Sequence, residues 1–407
     1  MNKRDLLQIA KEHRTPTYVY DLEKLEKQIN KLKKAFTYPR TKFLYAVKAN
    51  FNLHLVENIV KNGFGIDAVS PEEAELGIRC GAEHSSIIFT GNNMGDEDMK
   101  RAHELKVLLN IDSLSRLKKF GSSYPNSDVC VRFNPDVGAG NHHYNITGGE
   151  ESKFGISYLQ LQDVLKIINI HNLRLVGIHH HIGSGWLNMS SPLSALEIIL
   201  ELASKIQGLD FIDLGGGFGI PYKPDEEELD INRLGNKVSE MFSIFCEKYG
   251  KELELRLEPG RYVVAQAGHL LVRVTTIKEN PQGKIFVGVD SGMNHMIRVP
   301  LYDAYHEIIN LSNPNGEQKN YNVCGNVCES SDFFAKDRQL PFVREGDILS
   351  IEDTGAYGFA MSSNYQLRAR PAEVIIYEDG TTFLSRKRET LKDILSKYEK
   401  LNQNHQS

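Results

Sequence analysis

A (β/α)8 barrel followed by a mostly β domain is the fold class that the sequence predicts, and three observations predict it. Eight short apolar, β-branched runs alternate with amphipathic stretches, and glycine or polar residues gather at the ends of those runs. Past Tyr262 the texture changes to alternating strands separated by turn signals. An open doubly wound sheet shares the alternation, but a count of eight and the polar strand ends favour closure.

In chain order, "TPTYVYD" (15–21) reads as a strand with no barrel position, expected to join the β domain. The barrel strands are expected in "FLYAVKA" (43–49), "GIDAVS" (65–70), "IIFTGN" (87–92), "VLLNIDS" (107–113), "DVCVRFNP" (128–135), "RLVGIHHHIG" (174–183), "FIDLGGG" (211–217) and "LELRLEPG" (253–260). Helices are expected between them, as in "PEEAELGIRCG", where Ser70 is a cap and Pro71 suits the first helical position. Later strands are expected within "GHLLVRVTTIKENPQGKIFVGVDSGM", "YNVCGNVCESSD", "GDILSIEDTGAYGF" and "RPAEVIIYEDGTTFLS". "SRKRETLKDILSKYEKLNQNHQS" reads as a polar helix fading into a tail. The expected division is a barrel over 27–262 and a β domain formed by 1–26 and 263–407.

With 407 residues, 41% hydrophobic and 25% charged, the chain can bury a full core without disulfides or metals. A net charge of -5 argues against a broadly basic nucleic-acid or membrane-surface binder and points to a small partner. The N-terminus has no apolar signal region and no stretch approaches a membrane span, so a cytoplasmic protein is expected. Five scattered cysteines suggest free thiols; Cys324 and Cys328 form half of a zinc pattern, but no second pair stands nearby, and no metal is expected.

Lys48 closes the run "FLYAVKAN". Alone it could be a lysine snorkelling outward, but at the C-terminal mouth of a barrel, partial desolvation would lower its pKa and let a neutral amine condense with an aldehyde. Pyridoxal phosphate is the aldehyde cofactor to test, and it requires a phosphate cradle, a partner for the ring nitrogen and a flat group against the ring. Gly215, Gly216 and Gly217 in "DLGGGFG" offer close backbone approach to a phosphate, or simply a tight turn, and Ser184 in "IGSG" adds a hydroxyl. Glu258 and Arg261 in "LEPGRY" read either as a surface ion pair or as a carboxylate for the pyridine nitrogen and a cation for an anion. The three histidines of "GIHHHIGSG" invite a metal reading. On a strand, however, His179 and His181 share one face and His180 points to the other, which is poor geometry for three ligands. His181 is then the stacking candidate, His179 a deeper hydrogen-bonded barrel residue, and His180 faces the helices.

Together, "YAVKAN", "HIGSG", "DLGGGFG", "EPGRY", "CESSD" and "DTGAYG" resemble the fold-type III pyridoxal phosphate decarboxylases with the alanine racemase-like architecture, most closely the branch acting on diaminopimelate. The resemblance spans about residues 15–375, with the motifs in the family's order. It implies a pyridoxal 5'-phosphate carboxy-lyase that converts meso-2,6-diaminopimelate to L-lysine at the end of lysine biosynthesis. It also implies a homodimer with shared active sites. By position, Lys48 resembles the lysine that holds the cofactor, Glu258 the partner of the pyridine nitrogen and His181 the stacked imidazole. Ser184, Gly217, the backbone of Gly260 and Arg261, and Tyr357 resemble phosphate and cofactor contacts, with Asp67 and Arg132 a polar pair near the lysine. Cys328 resembles the thiol that protonates the α-carbon from the opposite protomer. Arg298 and Tyr302, with Arg261, resemble the groups for the distal carboxylate, Glu329 the group for the distal ammonium, and Tyr357 a further substrate contact.

Two positions depart from the family pattern: Val299 separates Arg298 from Pro300, and Ser331 replaces the usual glycine of "CESSD". A related basic amino acid such as lysine or ornithine therefore stays open as substrate. Segment 137–156 resembles the mobile active-site loop, with His142 and His143 as loop polar groups. An alanine racemase would pair the pyridine nitrogen with arginine, against Glu258. A metal-dependent barrel hydrolase and a non-catalytic binding relative are the other rivals.

Overall fold

The computed structural model describes residues 3–398, and the expected tail at 399–407 lies outside the described residues. Two compact units divide the chain: Leu22–Ala267 with Gly355–Ala360, and the remainder. The sequence reading divides the chain at 26/27 and 262/263 instead, since nothing in the local pattern marks the return of 355–360.

The N-terminus forms helix α1 (Lys3–His13) and strand β1 (Thr17–Asp21). In the barrel unit, helix α2 (Leu22–Ala35) precedes β2 (Thr41–Ala46). The ring continues through β3 (Gly65–Ala68), β4 (Ile87–Phe89), β5 (Leu108–Ile111), β6 (Asp128–Asn134), β8 (Arg174–His179), β9 (Phe211–Asp213) and β10 (Glu254–Leu257). A two-residue strand β7 (Ile156–Ser157) pairs beside β6. All the ring pairings are parallel, and β10 pairs with both β9 and β2, which closes the barrel and excludes an open sheet. Helices α3 (Leu53–Lys61), α4 (Pro71–Arg79), α5 (Asp96–Glu104), α6 (Leu114–Ser123), α7 (Leu161–Ile170), α8 (Ser190–Ala203) and α9 (Ile231–Tyr249) intervene, and a single turn α10 (Arg261–Val264) follows β10. Helix α4 starts as expected: the Ser70 hydroxyl accepts from the Glu73 N–H, and Pro71 occupies the first turn.

Leu44, Ile88, Cys130, Val176 and Phe211, from five different strands, pack together as one buried cluster, a contact available only across the barrel interior. Gly177 is part of this fit, because a Cβ there would come within 2.1 Å of the Phe211 ring. His180 lies outside the ring, against Phe36, Ile182, Trp186, Leu214, Phe218, Leu234 and Val238. Both of its ring nitrogens are buried without partners.

In the other unit, strands β11 (Gly268–Glu279), β12 (Ile285–Val289), β13 (Ile308–Asn310), β14 (Gln318–Cys324), β15 (Phe333–Pro341), β16 (Ile348–Ile351), β17 (Ala372–Ile376) and β18 (Thr382–Arg386) form one sheet with β1. β1 runs antiparallel to β11 and parallel to β17. Leu6, Ile9 and Ala10 of α1 pack on Val19, Leu271, Ile348, Val374 and Ile376. The short helix α11 (Arg298–Tyr302) holds Pro300 in its first turn, where the missing N–H costs nothing. Strands β13 and β15 and helix α1 have no counterpart in the sequence reading. The polar helix expected from 385 is replaced by the end of β18, which pairs Arg386 with Glu373, and one capped turn, α12 (Leu391–Ile394).

Gly177→Ala is expected to destabilise the protein by about 2 kcal/mol through overpacking against Phe211, measurable by denaturant unfolding. His180 gives the opposite sign. Burial pushes its pKa down to about 3, with His179 and then Arg132 adding to the shift. The unfolded chain therefore binds a proton that the folded chain refuses, and stability present above about pH 6.5 is lost as pH falls, by about 1.4 kcal/mol per unit. His180→Phe removes that loss. Its melting temperature is expected to exceed that of the parent by a margin that grows from pH 7 to pH 5.

Candidate active site

The barrel delivers its chemistry at the C-terminal ends of the strands. Lys48 sits on the single 3-10 turn after β2, Asp67 on β3, Arg132 on β6, His179 at the end of β8, and Asp213 at the end of β9. His181 and Ser184 follow β8, Gly215–Gly217 follow β9, and Glu258, Gly260 and Arg261 follow β10. Strand β8 ends at His179 rather than at Gly183, so the expected alternation reaches only to that residue.

Lys48 is ion-paired with the buried carboxylate of Asp67. Burial lowers its pKa as expected, but Asp67, then Tyr357 and Glu258, outweigh burial and hold it above the ordinary lysine value. The expected neutral amine is thus corrected: Lys48 rests here as an ammonium, and Asp67 is the nearest group to take its proton. Arg132 is buried, 4.9 Å from the Phe154 ring, with Nη2 lacking a hydrogen-bond partner.

Glu258 is buried, and its Oε2 lies 3.1 Å from His179 Nε2 while Oε1 has no partner. Burial, followed by the charge of Asp67, pushes its pKa up to about 8 against the opposing pull of Lys48 and Arg132. His179, Asp213 and Glu258 place one donor atom each within 4.8 Å of one another, the one metal-capable group among the described residues. His181 stays outside it: its Nδ1 accepts the Gly216 N–H at 3.1 Å, and burial, reinforced by Arg132 and Lys48, pushes its pKa well down. A neutral imidazole with a fixed tautomer suits a face laid against an aromatic ring.

The glycine turn corrects another expectation. The Gly215 N–H donates to Asp213 Oδ1 at 2.9 Å and the Gly216 N–H to His181, so these two amides build the turn and do not face a phosphate. Gly217 makes a close backbone approach to the loop after β8. Its φ is +104°, and a Cβ there would lie 2.1 Å from the Gly183 carbonyl oxygen. Nearby, Arg261 donates from Nη2 to the Ser184 hydroxyl at 3.1 Å and from Nη1 to the Tyr222 hydroxyl at 3.0 Å, with the Tyr357 ring 5.0 Å away. Tyr357 adopts φ +55° and donates its N–H to the Ala49 carbonyl beside Lys48. Gly260 fits against the side chains of Ala46 and Ala49, at 3.0 and 3.1 Å from where its Cβ would be.

Segment 137–156 is stitched to the strand-end loop. Ala139 and Thr147 donate their N–H groups to the Ile182 carbonyl, and Ser184 donates to Asn145. His142 caps Tyr144 through Nδ1, a loop role.

Cys328, Glu329, Arg298 and Tyr302 belong to the β unit. Cys328 is exposed, on a loop braced by Asp332, which accepts the N–H groups of Met293 at 2.6 Å and Val327 at 2.8 Å. Ser331 does not require a left-handed backbone, so serine replaces glycine there without strain. Glu329 accepts from the Tyr365 hydroxyl. Arg298 is 2% exposed and donates to His306 Nε2 at 3.1 Å; the other nitrogen of His306 meets the Glu352 carbonyl at 2.8 Å, which fixes its tautomer. All five cysteines are free thiols. Tyr222, Asp213 and His306 are the partners missed in sequence. Only Asp213, separated from the three glycines by Leu214 alone, carried any local signal.

The donor set fits pyridoxal phosphate: an amine, a buried carboxylate oxygen with no partner, an imidazole face, and at Gly217 a turn where no side chain fits. The comparisons agree. Residues 22–265 match the family described as "Pyridoxal-dependent decarboxylase, pyridoxal binding domain". The diaminopimelate decarboxylase of Methanothermobacter thermautotrophicus is 41% identical, covering 96% of this chain and 93% of that protein. The Campylobacter jejuni enzyme of the same name is 37% identical over 97% of this chain and 99% of its own. The crystal structure of diaminopimelate decarboxylase from Helicobacter pylori complexed with L-lysine superposes with a TM-score of 0.88 at 32% identity, covering 97% of this chain and 98% of that one. The chain belongs to the diaminopimelate decarboxylase family of pyridoxal phosphate-dependent carboxy-lyases.

Proposed function

We propose that this enzyme removes the carboxylate at the D-configured end of meso-2,6-diaminopimelate to yield L-lysine and carbon dioxide, closing lysine biosynthesis. The observation that carries the reading is Glu258, buried with one oxygen engaged by His179 and the other without a partner, in the same barrel mouth as Lys48. The Helicobacter pylori relative, complexed with L-lysine, supports the product assignment.

Pyridoxal phosphate supplies an aldehyde that captures the substrate amine and a protonated ring that accepts the electrons left by departing carbon dioxide. Lys48 would hold the cofactor between turnovers, and Asp67 is placed to take the proton its ammonium must shed. Glu258 would keep the ring nitrogen protonated, with Oε1 the oxygen that has no other partner. His181 supports the ring face, its plane set by Gly216. Ser184, the backbone of Gly217, Gly260 and Arg261, and Tyr357 bind the phosphate end, with the Arg261 side chain drawn to Ser184 and Tyr222. Arg132 backs Asp67 with positive charge.

Cys328 delivers the proton to the α-carbon, and its exposure in the single chain supports delivery into the site of a partner in a homodimer. Arg298, oriented by His306, and Tyr302 receive the distal carboxylate, and Glu329 receives the distal ammonium. Among the described residues no helix is long and apolar enough to cross a membrane, which supports a cytoplasmic setting together with the free thiols.

Carbon dioxide release assayed side by side from meso-diaminopimelate, L-lysine, D-lysine and L-ornithine is expected to be greatest from diaminopimelate. Arg298→Gln should lower kcat/KM for it by about a hundredfold, the size of a lost charge-assisted bidentate contact. A preference for ornithine or lysine in the parent enzyme would overturn the substrate assignment. Lys48→Ala and Cys328→Ala are each expected to be inactive alone. Mixed and reassociated, they should recover about a quarter of the parent activity, because half the dimers are hybrids with one intact site. Absence of complementation would remove the shared site.

A further inference from the structure

His179 is fully buried yet contacts neither substrate nor cofactor in the reaction as assigned. It pairs in register with Arg132 on β6 and Asp213 on β9, so the three side chains form one row across neighbouring strands. Its Nε2 meets Glu258 Oε2 at 3.1 Å, and Oε1 of the same carboxylate is left without a partner. Asp213 completes the cluster, one oxygen tied to the Gly215 N–H and the other buried without a partner.

We propose that His179 is the positioning residue for Glu258: its Nε2–H holds Oε2, fixes the plane of the carboxylate and leaves Oε1 as the oxygen for the cofactor's ring nitrogen. The inference rests on the assignment of Glu258 made above and adds a residue to it. The chemistry is consistent with the burial. Burial pushes the His179 pKa down to about 4, so the imidazole is neutral with a single N–H to give. Burial also favours a protonated Glu258, and a donated N–H counters that by favouring the anion that a protonated ring requires. Asp213 and Asp67 face this imidazole with negative charge and Arg132 and Lys48 with positive charge, so no single neighbour dictates its state. The same three donors could instead hold a metal ion, which would consume the lone pairs of His179 and Glu258 together.

The test uses holoenzyme loaded with pyridoxal phosphate labelled with 15N in the ring, whose chemical shift reads the protonation of that nitrogen directly. The parent and His179→Gln, whose amide reaches the same oxygen, are expected to show a protonated ring at pH 8. His179→Phe is expected to show a neutral ring, with kcat lowered about tenfold or more at unchanged KM, the equivalent of one lost hydrogen bond to a charged group. His179→Asn, too short to reach Oε2, should behave as the phenylalanine variant does and serves if that variant does not fold. Glu258→Gln separates the two layers. A neutral ring in Glu258→Gln beside a protonated ring in His179→Phe or His179→Asn overturns only the role of His179, and a protonated ring in Glu258→Gln overturns the assignment of Glu258 and this one with it. Equal impairment of His179→Gln and His179→Phe would reduce His179 to packing, and a stoichiometric metal in the purified holoenzyme would replace the proposal with a cation site.

Discussion

Burying a carboxylate in a protein interior is costly unless the surroundings supply hydrogen bonds or opposite charge, and Glu258, buried with its Oε1 left without a partner, is under that constraint here. The rim of the barrel answers it in layers. His179 engages one oxygen, while Lys48 and Arg132 oppose the rise in pKa that burial and Asp67 impose. Lys48 in turn is charged because Asp67 stands against it. Two cations, Lys48 and Arg132, and three carboxylates, Asp67, Asp213 and Glu258, thus share one region at the barrel mouth. That arrangement suits a reaction that must keep one ring nitrogen protonated and make one amine give up its proton.

The glycine turn after β9 obeys a different constraint, close backbone approach. Gly217 brings its main chain to the Gly183 carbonyl and to Trp186 at distances that any side chain would violate. The amides of Gly215 and Gly216 are spent on Asp213 and His181, so the turn is rigid. It ties the row behind Glu258 to the imidazole above it.

The β unit uses the same device in its own frame. Arg298 is buried and oriented by a histidine whose second nitrogen is fixed on a main-chain carbonyl, so a flexible side chain becomes a preset fork. The Cys328 loop is the inverse case. Asp332 anchors it from below while the thiol and Glu329 stay exposed. Ser331 fits because the turn there keeps an ordinary backbone, which removes one of the two departures from the family pattern as a source of strain.

Hydrophobic periodicity and strand-end residues were enough to place eight barrel strands and, with six motifs, to name most of the groups assigned to chemistry. Both signals are local: alternating burial writes itself into consecutive residues, and strand ends carry the polar and glycine residues that a barrel mouth needs. Pairings between remote segments left no such trace. Tyr222 reaches Arg261, His306 reaches Arg298, and His179 reaches Glu258 across gaps of 39, 8 and 79 residues. The charge of Lys48 could not be read from its strand either, because Asp67 on the next strand reverses the effect of burial. Sequence alone determined which residues could perform this chemistry. Closure of the barrel decided their protonation, tautomers and available lone pairs, since these depend on charges and donors brought within a few ångströms only by folding.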